Sequence, residues 1–270
     1  MREDCLAFFG LRRDPFGKQV AADALWLDPS RTAAIDQLID AVRSRRHALV
    51  CGDSGVGKSC VMRAMKGRLP ETGFRVVYVP NVTVGRRDFY RQLSLALGLE
   101  PRGTVAAVFE AIQREVRSSW SEHRLHPVLV LDEAHLMPDV LLSHLHVLAN
   151  FDMDSNPLLS LVLMGLPELH DRLKLGVHRS LLTRLSIKVD IGRTTPSDTT
   201  AYVRARLESA GSAADVFASD GVSTLHELAA GVPRMIDTVA AIAMQLAAEQ
   251  GERLVGRATV RRAWQQTPFA

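Results

Sequence analysis

The sequence has 270 residues, of which 47% are hydrophobic and 23% charged, and its formal net charge is +3. A chain of this size can bury one full-sized core and a small second one. Its apolar runs are short or interrupted by charge, and its N-terminus MREDCLAFFG has acids where a signal peptide is basic, so we expect a cytoplasmic protein without a membrane segment. The mild basic excess permits contact with nucleic acid but does not demonstrate it.

The three cysteines, Cys5, Cys51 and Cys60, are an odd number without metal-ligand spacing. They predict small reduced thiols rather than disulfides. His135, His144 and His146 do not share one face of the predicted helix, and no acid pairs with them in a zinc pattern, so we expect ordinary histidines there.

Strand and helix patterns alternate along the first two thirds of the chain. After an irregular start, Ile35, Leu38, Ile39 and Val42 recur at the spacing of one helical face. Predicted strands cover 48–51, 74–79, 127–132, 158–164 and 187–191. Predicted helices between them cover 59–68, 87–97, 105–120 and 138–148. Near-continuous apolar strands that alternate with helices predict an α/β fold, a three-layer domain with a five-stranded parallel sheet.

The pattern changes near residue 195, where a capping residue and Pro196 introduce a series of helices. These predicted helices cover 202–210, 222–230, 234–249 and 259–265, with no strand among them. We therefore predict an N-terminal strap near the nucleotide over 1–30, the main domain over 31–195, and a small all-helical lid domain over 196–270.

The segment GDSGVGKS follows the first predicted strand and opens a predicted helix. It matches the P-loop (Walker A) pattern G-x-x-x-x-G-K-[ST], in which glycines let backbone N–H groups converge on phosphates at a helix N-terminus. Lys58 is expected to reach the β- and γ-phosphates of ATP, and the Ser59 hydroxyl to bind Mg²⁺. The predicted nucleotide-binding residues are Gly52, Asp53, Ser54, Gly55, Val56, Gly57, Lys58, Ser59 and Cys60.

A second acidic motif ends the third predicted strand, at Asp132 and Glu133. Because Mg²⁺ prefers hard oxygen ligands and keeps most of its waters, Asp132 is expected to hold the metal through water. Glu133 would orient and deprotonate an attacking water beside the γ-phosphate. The adjacent glutamate favours ATP hydrolysis over phosphoryl transfer to a metabolite.

Six motifs together resemble the AAA+ ATPases of the general secretion pathway protein A type and the similar helper ATPases of DNA transposition, such as phage Mu B protein and the insertion-sequence helpers. The motifs are FFGLRRDPF (8–16), GDSGVGKS (52–59), VLDEAH (130–135), MGLPEL (164–169), LLTRLSIKV (181–189) and GVPR (231–234).

The resemblance implies further roles for single residues. Arg234 is expected to act as the sensor-2 arginine on the γ-phosphate. Arg184 is expected to be an arginine finger for the neighbouring subunit's ATP, with Arg179 as the second candidate. The sensor-1 position falls at Leu166, which cannot form a side-chain hydrogen bond, so either hydrolysis is slow or a neighbour such as Asn150 substitutes.

Two functions remain open, with a third, a protein-binding AAA+ adaptor, less favoured because 82–87 has no aromatic residue. The first is a transposition helper that oligomerises with ATP, as a ring or helical filament, on double-stranded DNA and recruits or activates a transposase. The second is a secretion-type ATPase that drives an envelope machine without DNA. The absence of a predicted membrane segment favours the first.

Thr83, Arg86 and Arg87, after the second strand, are the candidate DNA contacts, since hydroxyl and guanidinium groups suit phosphate oxygens.

Overall fold

The computed structural model describes the backbone of residues 1–270 and every side chain except that of Asp23. Two compact units make up the chain. The sheet unit comprises Ser30–Asp53 and Val61–Ile191, and the helical unit comprises Met1–Pro29, Ser54–Cys60 and Gly192–Ala270. The elements in chain order are α1 (Glu3–Phe9), α2 (Pro29–Arg43), β1 (His47–Cys51), α3 (Lys58–Arg68), β2 (Phe74–Val79), α4 (Arg86–Ala96), α5 (Val105–His123), β3 (His126–Leu131), α6 (Asp139–Leu148), β4 (Ser160–Gly165), α7 (Glu168–Leu173), α8 (Arg179–Leu182), β5 (Leu185–Asp190), α9 (Pro196–Ser209), α10 (Ser219–Ala229), α11 (Pro233–Glu249) and α12 (Arg257–Gln265).

The five strands form one parallel sheet in the order β2-β3-β4-β1-β5. The inner strands β3 and β4 are buried along their whole length, which is why their sequences are continuous apolar runs rather than alternating ones. The edge strand β5 alternates between exposed and less exposed residues. The predicted α/β fold with a five-stranded parallel sheet is confirmed.

The core of the sheet unit joins the buried faces of its strands to those of α4, α5 and α6. Phe89 and Tyr90 of α4 and Ile112 of α5 are almost fully buried in it. Burial of this much apolar surface is the main stabilising term for such a layer, at about 25 cal/mol for each Å² removed from water. Helix positions therefore follow the apolar spacing found in the sequence.

The helical unit packs α9 to α12 around a second core that also receives α1. A capping box at Thr195 and Asp198 begins α9, as the sequence pattern indicates. The irregular start expected from the sequence is wrong for Glu3–Phe9, which forms α1, ends at Gly10 in the left-handed region and buries Cys5. Arg206 of α9 donates to the carbonyl oxygens of Pro15 (2.6 Å) and Gly17 (2.7 Å) and so holds the N-terminal segment on this unit.

Element limits differ from the predicted ones by a few residues. The β3 strand ends at Leu131, so that Asp132 is the first residue beyond it. The sheet unit ends at Ile191, four residues before the predicted boundary at 195. Side-chain patterns define the middle of an element better than its ends, where capping decides.

Candidate functional site

The carboxyl ends of β1, β4 and β3 lie side by side in the sheet. The β1 strand leads into Gly52 and Asp53, and β3 leads into Asp132 and Glu133, with β4 between them. The backbone N–H of Gly52 donates to the carbonyl of Gly165 at the end of β4 (3.3 Å). The sheet therefore places the start of the glycine-rich motif and the acidic motif at one edge, with a single strand separating them.

Asp132 is held at both carboxylate oxygens. Its Oδ1 accepts from the backbone N–H of Glu133 (2.8 Å), and its Oδ2 accepts from the hydroxyl of Tyr78 (2.5 Å). The residue is only 8% exposed, so this carboxylate has a fixed orientation. Burial, and then the bond to Asp132, raise the pKa of the Tyr78 phenol, which keeps it a donor.

Glu133 has φ of +52°, in the left-handed region that non-glycine residues rarely adopt. Its side chain is half exposed, and its Oε2 lies 3.6 Å from the Nδ1 of His135. A glutamate with an accessible carboxylate beside a buried, oriented aspartate is chemically suited to accept a proton from water.

The glycine-rich turn Ser54–Cys60 packs within the helical unit. Gly55 has φ of +81°, and a Cβ there would lie 2.9 Å from the Cβ of Arg234 and 3.1 Å from Val232. The backbone N–H of Arg234 donates to the carbonyl of Gly55 (3.3 Å). Gly55 is thus required both by its backbone angle and by the close approach of α11, and Arg234 lies directly against the turn.

Lys58 and Ser59 begin α3, with Lys58 buried and Ser59 exposed. The N–H groups at this helix N-terminus suit phosphate oxygens. The Ser59 hydroxyl of this turn is a hard oxygen donor of the kind that Mg²⁺ takes, and so, in the sheet unit, is the Asp132 carboxylate. Within the described residues, no group of three His, Cys, Asp or Glu side chains could hold a metal by itself.

The candidate DNA contacts follow the edge strand β2. Val82 is buried and anchors the loop, while Thr83, Arg86 and Arg87 are exposed. The Thr83 hydroxyl donates to Asn81 (2.9 Å), and Arg86 opens α4. Among the side chains that the structure describes, no ion-pair partner is found for Arg86 or Arg87. Both guanidinium groups are accordingly available to an anionic ligand.

The two candidate finger arginines differ in their surroundings. Arg184, just before β5, forms an ion pair with Asp154 and donates to the carbonyl of Ser180 (3.0 Å). Arg179 is exposed at the start of α8. Arg184 therefore has to exchange Asp154 for phosphate if it acts on another subunit.

The suggestion that Asn150 replaces a polar sensor-1 side chain is wrong. Its side-chain oxygen accepts from the N–H of Asp154 (3.0 Å), and Asp154 pairs with Arg184 at the start of β5. Asn150 thus lies towards the edge where strands begin, whereas Leu166 follows the end of β4. The polar group next to Leu166 is His135, whose Nδ1 lies 3.4 Å from the Leu166 backbone nitrogen.

Sequence reasoning missed Tyr78 and His135 as members of this edge. Tyr78 lies within a strand, where an aromatic residue is ordinary, and only the register that places it opposite Val130 shows that it can reach Asp132. His144 and His146 make separate contacts, with the Tyr90 hydroxyl and the Ser143 carbonyl.

Residues 41–173 match the family described as AAA domain. The similarity to AAA domains thus covers about half of the chain. The match includes the glycine-rich motif, the acidic motif and the end of β4, which are the parts that the sheet brings together. No helix of the described residues is both long and apolar enough to span a membrane.

General secretion pathway protein A of Aeromonas hydrophila is 28% identical to this chain over 251 residues. The aligned region covers 92% of this chain and 46% of that protein, so the chain spans about half the length of its curated relative. The identity extends through both units.

Solved structures share the fold at low identity. They include Cdc6p of Pyrobaculum aerophilum (TM-score 0.70, 17% identity, 92% of this chain and 69% of that one) and the ORC1 protein of Aeropyrum pernix in complex with DNA (0.69, 21%, 93% and 68%). The ORC2 protein of Aeropyrum pernix, in ADPNP-ADP complexes, has a TM-score of 0.73 at 13% identity, with 95% and 72% covered. These likenesses show the AAA+ fold.

Proposed function

We propose that this AAA protein binds ATP and Mg²⁺ at the motif Gly52–Ser59, assembles with ATP into a homo-oligomer on double-stranded DNA, and hydrolyses ATP to disassemble. The observation that carries the ATPase role is the placement of Gly52 and the Asp132–Glu133 pair at one edge of the sheet. Asp132 would hold the metal through water, and Glu133 would take a proton from the attacking water. Arg234 would contact the γ-phosphate, and Arg184 would complete a neighbouring subunit's site.

The DNA role rests on Thr83, Arg86 and Arg87. All three are exposed after an edge strand, and the two arginines have no ion pair among the described residues. They would contact phosphates, which gives little sequence preference. The structural relative solved in complex with DNA supports this role. We further propose a transposase as the protein partner that the assembly recruits or activates, and a cytoplasmic location.

A second candidate is a secretion-type ATPase that drives an envelope assembly without DNA. The observation that favours it is the 28% identity to general secretion pathway protein A over 92% of this chain. The two candidates share the nucleotide chemistry and differ in the ligand of the exposed arginines.

A duplex-binding titration tests the first candidate. We expect labelled random-sequence duplex to bind only with ATP, and affinity to fall by about a thousandfold or more between 50 and 200 mM salt if six or more phosphates are engaged. Lys58→Ala should abolish both binding and the particles seen by electron microscopy. ATP-dependent particles that form without duplex, and no duplex binding at low salt, would support the secretion-type candidate instead.

The double variant Arg86→Ala/Arg87→Ala locates the contact. We expect it to reduce duplex affinity at least tenfold at moderate salt. The slope of log affinity against log salt concentration should become shallower by about two, since each phosphate contact releases about one counterion. The matched control is Arg204→Ala/Arg257→Ala on α9 and α12, which removes the same charge from exposed residues elsewhere. Equal losses in both variants would mean that net charge, not this loop, determines binding.

A further inference from the structure

His135 lies at the carboxyl edge of the sheet with its backbone partly exposed and its side chain largely buried. Its side chain is 8% exposed, and its ring packs over the end of β4. A Cβ at Gly165 would lie 3.2 Å from both the backbone nitrogen and the Nδ1 of His135. Glycine at this position therefore makes room for the imidazole.

Two contacts fix the direction of the ring nitrogen. The backbone N–H of Leu166 points to Nδ1 at 3.4 Å, which assigns the neutral ring the tautomer with its hydrogen on Nε2. This hydrogen bond is long, so the Nδ1 lone pair can also accept from a closer donor. On its other side, Nδ1 lies 3.6 Å from Oε2 of Glu133.

The backbone around His135 is held by Arg172 of α7. This guanidinium donates to the carbonyl oxygen of His135, to that of Met137 (2.8 Å) and to the carboxylate of Asp139 (2.5 Å). The segment that follows Glu133 is thereby tied to the helix that follows β4. Such ties maintain the left-handed backbone of Glu133, which costs free energy in an unconstrained chain.

Glu133 Oε2 and His135 Nδ1 are two acceptors 3.6 Å apart, and the Glu133 side chain is half exposed to solvent. A water oxygen about 2.8 Å from each can donate one hydrogen to each acceptor. Both hydrogens of that water would then point into the protein, and its lone pair would be free to attack.

We propose that His135 is the second acceptor for the water that Glu133 activates. This inference rests on the proposed ATPase function. As the water oxygen bonds to the γ-phosphorus, the bond to the bridging oxygen breaks, Glu133 takes one proton, and ADP and phosphate are the products. His135 takes no proton; it keeps the second hydrogen, which leaves with the phosphate.

The test compares His135→Leu with His135→Asn, whose Oδ1 can supply an acceptor where Nδ1 stands. We expect His135→Leu to lower kcat by about tenfold to a hundredfold. Its KM, its affinity for a fluorescent ATP analogue with Mg²⁺ and its melting temperature should stay close to those of the parent. His135→Asn should recover at least a third of the rate. The control His146→Leu, on α6 and half-buried, should retain the parental rate.

The double variant His135→Leu/Glu133→Gln tests whether the two residues act on one water. We expect it to be no slower than Glu133→Gln alone, because residues that act as a unit are not additive. Losses that multiply, or loss of nucleotide affinity in His135→Leu without recovery in His135→Asn, would overturn the inference. So would a parental rate for His135→Leu while Glu133→Gln is inactive. A parental rate for Glu133→Gln would instead overturn the proposed role of Glu133.

Discussion

The two edges of the sheet place ionisable groups in opposite circumstances. At the carboxyl edge, Asp132 is bonded at both carboxylate oxygens and Glu133 is half exposed. At the amino edge, where strands begin, His126 is buried and His47 is half-buried, and both favour the neutral form. Burial, reinforced by nearby Arg184 for one and Arg45 for the other, lowers the pKa of each to about 4.

The comparison indicates that polar groups at the carboxyl edge serve chemistry, whereas those at the amino edge serve packing. His126 shares a hydrogen bond with the Ser160 hydroxyl (2.9 Å), and His47 Nδ1 accepts from the N–H of Leu161 (3.1 Å). These bonds join the starts of β1, β3 and β4 to one another. Four predictions break or sharpen the contrast, and they follow in order of expected effect.

Arg184 gives the strongest test of this contrast. It lies at the amino edge, and yet it is proposed to act in catalysis as an arginine finger. Arg184→Ala should lower the ATPase rate by about a thousandfold, since arginine fingers contribute 10³ to 10⁵ in rate. Mixing it with Lys58→Ala subunits should restore part of the rate, while Arg179→Ala should keep most of its activity. If no mixture recovers activity, Arg184 does not act between subunits and the amino edge is purely structural.

The buried histidines predict loss of stability in acid. In the unfolded chain imidazoles take protons below about pH 6.5, whereas the folded ones do so only near 4, so stability is present above 6.5 and is lost as pH falls towards 4. Between pH 7.5 and 5 we expect a loss of about 4 kcal/mol, roughly half from each residue. Hydrogen exchange of amides in the sheet unit, followed as a function of pH, measures this loss of stability.

Variants assign this pH dependence to the amino edge. His126→Gln should remove about half of the loss, and replacement of the exposed His123 at the end of α5 should leave it unchanged. The same loss in His126→Gln would contradict the prediction.

Glu133→Gln and His126→Gln form a matched pair across the two edges. Glu133→Gln should lower kcat by at least about a hundredfold and retain nucleotide and duplex binding, because it removes the base but not the phosphate contacts. His126→Gln should hydrolyse ATP within about twofold of the parent. A large rate loss in the second variant, without loss of stability, would remove the distinction between the edges.

Tyr78→Phe is the smallest change at the carboxyl edge. Without the phenol, Asp132 keeps only its bond to the N–H of Glu133, and its carboxylate can rotate. We expect the Mg²⁺ concentration for half-maximal ATP binding to rise about threefold to tenfold, since a hydrogen bond to a charged group contributes about 1.5–3 kcal/mol when fully desolvated and Tyr78 is 49% exposed. An unchanged Mg²⁺ requirement would show that the bond does not orient Asp132.

Sequence patterns predicted the sheet because its inner strands are continuous apolar runs, and they predicted the nucleotide motif because a P-loop is contiguous in the chain. The contacts of Tyr78, His135 and Arg172 could not be predicted in the same way. Each joins segments that are 31 to 54 residues apart, and strand register decides whether they meet. The error at Asn150 has the same origin, since nearness in sequence to the acidic motif does not tell which edge a loop occupies.

Arg206 ties the N-terminal segment to α9 through backbone oxygens alone. Since every residue has a carbonyl, substitutions at Pro15 and Gly17 can accumulate without breaking these bonds, provided that the path of the chain is kept. The guanidinium itself is only 11% exposed and also lies 3.9 Å from Asp237. Substitutions are therefore tolerated at Pro15 and Gly17, which accept through backbone oxygens, and strongly restricted at Arg206, which donates through its side chain.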